Sequence, residues 1–124
     1  MKTQLLKRDL LRREFPDYFK VGKVYPLPRV PEGNWEESSW HNDASPSWRF
    51  MTGAGLYIRL WADYPEEEDR ELENERFLIQ LENKDGEFIC QTAATDDMDT
   101  VTTELAHLVS TLSTSWRLLM CMWR

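Results

Sequence analysis

Two runs of strict period-two alternation constrain this chain more than anything else in it. In Gly55–Asp63, Leu56, Ile58, Leu60 and Ala62 fall on one side, and Tyr57, Arg59, Trp61 and Asp63 on the other. Alternation of that kind belongs to a β-strand, whose successive side chains point to opposite faces. Arg76–Glu82 repeats it with Phe77, Ile79 and Leu81 as the inner set. Glu87–Thr92 then returns with Phe88 and Cys90 opposed to Ile89 and Gln91. Between the last two runs stands Asn83-Lys84-Asp85-Gly86, a hairpin signal because Asp-Gly supplies the left-handed residue a tight connection needs. The spacing predicts an antiparallel meander over 55–93.

A switch of period follows. Thr95-Asp96-Asp97 opens a helix, with acids suited to the positive end of its dipole. Met98, Val101, Leu105, Leu108 and Leu112 continue at helical spacing, one narrow stripe fit to lie across a sheet, so a helix is predicted over 97–112. The apolar tail, 113–124, places Trp116, Leu119, Met120 and Trp123 at helical spacing too, either as a second short helix or as a continuation. At the other end, Thr3 as N-cap and a stripe of Leu5, Leu6, Leu10, Leu11 and Phe15 predict a basic helix within 1–16 that Pro16 terminates. Lys20–Tyr25 reads as a short strand, and Pro26, Pro28 and Pro31 as an extended connector running through Gly33 into a tryptophan-rich loop. The expected fold class is α+β in a single domain, 1–124: an antiparallel three- to four-stranded meander packed by a C-terminal helix, with an N-terminal basic helix.

Composition narrows the function classes. No run of 18 apolar residues exists, and charges interrupt MKTQLLKRDLLRREF throughout, so neither a membrane span nor a signal peptide is expected. Cys90 and Cys121 are the only cysteines and lack metal-ligand spacing, which fits a cytoplasmic protein with reduced thiols. The net charge of −7 is unevenly spread: residues 1–30 carry eight Lys/Arg against three acids (+5), and the remainder seven against nineteen (−12). Such an acidic body repels phosphates, so nucleic acid is an unlikely partner and a basic protein a suitable one. Of the asymmetry itself, an intramolecular attraction between the two charge regions is the leading reading, ahead of two faces with different partners.

Two stretches are candidate sites. Ser38–Trp48 (SSWHNDASPSW) sets His41, Asn42 and Asp43 between Trp40 and Trp48. His41 as base, oriented by Asp43, with Ser45 or Ser47 as nucleophile would give a small hydrolase or nuclease. Triads are assembled in space rather than along five residues of chain, however. The architectural reading leads: Asn42 and Asp43 cap a turn, Pro46 directs the exit, and the two tryptophans anchor it. Asp63–Glu75 carries eight carboxylates and one arginine. It is a solvated loop between strands or an acidic patch, in which Glu66, Glu67, Glu68 and Asp69 would face a basic partner. His41 and His107 are the only histidines, and no metal-binding motif accompanies them, so no metal and no cofactor are expected. Surplus aromatics, Trp61 among them, suit a homodimer, a partner face, or a module stacking a planar ligand between tryptophans.

Trp40-His41-Asn42-Asp43-x-x-Pro46-Ser47, followed by Leu60-Trp61-x-Asp63-Tyr64, resembles a pattern in small uncharacterised proteins of bacteria and their phages or prophages. There the W-x-N-D-x-x-P-S segment precedes a strand ending in W-x-D, then a hairpin and a final helix. The resemblance covers roughly 40–110 and implies context, with no activity and no catalytic residue attached to it. Together these features lead to a non-enzymatic interaction or regulatory protein, which the resemblance implies is encoded by a phage or other mobile element. It would bind another protein through the acidic loop, the tryptophan loop or both.

Overall fold

The structure, a computed structural model, describes residues 2–6, 26–38, 45–70 and 75–113, with Asp69 by its backbone alone. In chain order the elements are β1 (Thr3–Gln4), β2 (Val30–Pro31), β3 (Trp35–Glu37), β4 (Ser47–Met51) and β5 (Tyr57–Ala62). A short 3-10 turn (Glu67–Asp69), β6 (Phe77–Glu82), β7 (Phe88–Thr95) and α1 (Met98–Leu112) follow. Strands β3 to β7 form one sheet in sequence order, every neighbour antiparallel.

The expected meander is the centre of that sheet. Ile58 and Leu60 of β5 stand opposite Leu81 and Ile79 of β6, and these four with Ala62 and Phe77 are buried. Gly86 closes the β6–β7 hairpin at φ 83, donating its N–H to the Asn83 carbonyl at 2.9 Å. Asn83 Oδ1 accepts the amides of Asp85 and Glu87, both at 2.9 Å. Helix α1 begins where expected, with Asp97 as N-cap: its carboxylate accepts from the Thr100 amide at 2.9 Å. Val101, Leu105, Leu108 and Leu112 are its buried stripe, packed on β2, β6 and β7. The fold is α+β with antiparallel sheets and a C-terminal helix. Among the described residues no helix is long and apolar enough to cross a membrane.

Three expectations need correction. The main sheet has five strands, not three or four, because the stretch read as a tryptophan loop supplies β3 and β4. Trp48 and Phe50 alternate with Arg49 on β4, and Trp35 opposes Phe50 with ring centroids 5.2 Å apart. Trp48 is fully buried. Second, the alternation of β7 is broken twice. Ile79 pairs Ala93 while Gln80 pairs Gln91, and Leu81 pairs Cys90 while Glu82 pairs Phe88, leaving Thr92 and Ile89 as the extra residues of two bulges. Phe88 and Ile89 are exposed as a result. Third, the N-terminal helix is not seen. Thr3 does not cap one: Thr3 and Gln4 are extended and pair with Pro31 and Val30. Leu6, buried in the same cluster as Val30, anchors the pairing. The rest of that expected helix, the expected strand Lys20–Tyr25 and the tail beyond Ser113 lie outside the described residues.

Candidate functional site

The loop containing Trp40, His41, Asn42 and Asp43 lies outside the described residues; its two ends do not. The Ser38 amide donates to the Ser47 carbonyl at 3.0 Å, which makes 38–47 the connection of the β3–β4 hairpin. Ser47 is fully buried. Its hydroxyl lies 3.3 Å from that of Ser38, and Arg59 Nη1 donates to both at 3.0 Å. A hydroxyl accepting from a guanidinium is held as a structural acceptor. Trp48, set by sequence at the end of that loop, is core.

Arg59 belongs to a larger arrangement on the sheet face opposite α1. Its Nε is 2.7 Å from Glu82 Oε2, with only 12% and 5% of the two side chains exposed. Gln80 Nε2 donates to the same oxygen at 2.6 Å. The Arg59 guanidinium also sits 5.4 Å from the centroid of half-buried Trp61. One strand over, Arg49 stands directly opposite both Arg59 and Glu36 and lies 4.4 Å over the Tyr57 ring. A buried pair of this kind recovers its desolvation cost only through good geometry and extra hydrogen bonds; the two serines and Gln80 supply part of them, while Glu82 Oε1 stays buried without a hydrogen-bond partner.

The acidic loop is organised rather than merely solvated. Arg70, the one cation in its run, donates to the carbonyls of Tyr64 and Pro65, each at 2.9 Å, and pairs with Asp96 Oδ1 at 3.2 Å. Its own amide closes the 3-10 turn on the Glu67 carbonyl at 3.2 Å. At the other end of the loop, buried Arg76 donates its amide to Asp96 Oδ1 at 2.7 Å and its Nη2 to the Pro26 carbonyl at 2.6 Å. Asp96 thereby fastens the loop to the start of α1. The Arg76 amide, then the Arg70 guanidinium, hold its carboxyl below the usual carboxylate range. Asp97 is lowered likewise, chiefly by the Thr100 hydroxyl and amide it caps.

The result is one acidic corner. Glu67, Glu68 and Glu75 are exposed, as are Asp96, Asp97 and Asp99 at the positive end of α1. Glu66, by contrast, is half-buried. Asp63, placed by sequence in the exposed loop, is buried with its Oδ1 accepting the Tyr64 amide at 2.8 Å. Sequence reasoning missed Arg70, Arg76 and Asp96 as the parts that shape this corner. The available signal was the lone arginine inside a run of eight carboxylates, which has no reason to be there unless the loop is pinned. His107 is exposed on α1. Among the described residues no three His, Cys, Asp or Glu side chains group in a way that could hold a metal ion. Cys90 is a free, half-buried thiol whose pKa burial pushes up. Comparison with protein-family models, curated proteins and solved structures gave no match for this chain.

Proposed function

We propose that this is a non-enzymatic interaction protein that binds a basic protein partner through the acidic corner formed by residues 64–70 and 96–99. The observation that carries the reading is the pinning of that loop by Arg70. A flexible acidic loop loses conformational entropy when it binds, whereas one already held by three contacts loses less of it. The carboxylates also reinforce one another along a contiguous surface, which raises the encounter rate with a positive partner and makes it salt-dependent.

The test compares capture from lysate by the tagged wild type and by the triple variant Glu67→Gln, Glu68→Gln, Asp99→Asn, at low and at high salt. The reading expects a stoichiometric partner held by the wild type at low salt, released at high salt and absent from the variant. A partner retained equally by both proteins contradicts it. Turnover of a phosphodiester or ester substrate that His41→Ala abolishes contradicts it more severely.

A further inference from the structure

At the β3 edge of the sheet lies a groove of about 260 Å3, lined by Gly33, Asn34, Glu36, Arg49, Met51 and Tyr57. Pockets for drug-sized ligands begin near ~300 Å3, so this one suits something smaller. Its chemistry centres on Arg49. The Tyr57 ring lies against its guanidinium, 4.4 Å from centroid to Cζ. The nearest carboxylate, Glu36 Oε2, is 3.6 Å from Nε, outside hydrogen-bond range. Nε is buried without a hydrogen-bond partner. Nε is therefore out of a ligand's reach, and the terminal Nη groups of this side chain, 32% exposed, are the donors that can meet an acceptor in the groove. Glu36, directly across the ladder and 55% exposed, supplies the complementary acceptor for a donor beside it.

The two charges decide what the ligand is. An anion would meet Glu36 and the protein's net −7, and a cation would meet Arg49. An uncharged ligand presenting a carbonyl next to an N–H satisfies both at once. The walls, Met51, Tyr57 and the edge of Phe50, are apolar and suit a ring. Gly33 is what leaves the groove room: a Cβ there would lie 2.5 Å from Phe50 Cε2, and Phe50 is packed against Trp35. We propose that this groove binds a small, uncharged planar heterocycle carrying a carbonyl acceptor beside an N–H donor, the edge that guanine presents. The carbonyl faces Arg49, the pairing by which arginine reads guanine O6 and N7, and the N–H faces Glu36. The site shares no residue with the acidic corner and stands or falls apart from it.

The experiment is an NMR titration of the full chain with guanosine, with adenosine and sodium acetate in parallel. Guanosine is expected to give saturable shifts confined to Gly33–Glu36, Arg49–Met51 and Tyr57. Adenosine, which offers Arg49 a ring nitrogen in place of the carbonyl, is expected to bind more weakly. Arg49→Gln and, as a variant on an exposed side chain that leaves the fold intact, Glu36→Gln should each weaken guanosine by about tenfold or more. Absence of saturable guanosine shifts at these residues overturns the proposal. So does equal binding of adenosine, or an Arg49 response to acetate that matches the response to guanosine.

Discussion

Ser47 and Trp48 are adjacent in sequence and both fully buried, yet they point to opposite faces of β4 and do different work there. Trp48 fills the core, and Trp48→Ala is expected to cost about 3–5 kcal/mol, read by urea denaturation. Ser47 serves the Arg59–Glu82 pair on the far face. Removing one member of a buried pair strands the other, so Glu82→Gln is expected to cost about 3–5 kcal/mol, and pairing it with Arg59→Met to recover a good part of that. A double-mutant cycle in denaturant checks it; strictly additive losses would mean the two side chains do not depend on each other. At the acidic corner, Arg70→Ala deletes charged hydrogen bonds from a side chain 8% exposed and should cost about 1.5–3 kcal/mol.

At the scale of elements, the β5–β6–β7 meander and α1 were legible because each carries its period for several repeats and is bounded by a specific stop: Gly86 for the hairpin, Asp97 for the helix. Strands β3 and β4 were not. Trp35–Glu37 is too short to display a period, and the alternation of Ser47–Met51 is masked by Pro46 before it and by exposed Met51 at its end. Bulges hide in the same way, since an extra residue carries no signature of its own. Phe88 and Phe77 illustrate the consequence. Both open a strand of apolar character, but the bulge at Ile89 leaves Phe88 63% exposed while Phe77 is fully buried. Phe77→Ala should therefore cost about 3–5 kcal/mol and Phe88→Ala under about 1 kcal/mol, a contrast that thermal melts of the two variants will show. The two bulges also twist the exposed edge of β7, an eight-residue strand without a single charge, away from the geometry that would template pairing with another chain. Of the candidate site, the sequence displayed the acidic run but not its architecture, because Arg70, Arg76 and Asp96 meet only through the fold.

Across the whole molecule, charge is the dominant property, and it sets a pH dependence. Asp96 and Asp97 bind their proton less readily in the folded chain than an ordinary carboxyl does. A depressed folded pKa contributes stability above the unfolded value, about 3.9 for aspartate, and that contribution is lost as pH falls through the folded pKa. Melting temperature is thus expected to be level on the alkaline side of about pH 5 and to drop below about pH 4, with a shallower drop in Asp97→Asn; an unchanged acid limb in that variant would remove the cap from the account. The same carboxylates that anchor the corner internally, Asp96 foremost, leave Glu67, Glu68 and Asp99 turned outward. The most direct measurement of the central claim is a hydrogen-exchange footprint of the captured complex against the free protein. The account predicts added protection in the amides of 64–70 and 96–100, removed by high salt. Protection confined to other segments, with 64–70 exchanging as in the free chain, would contradict it.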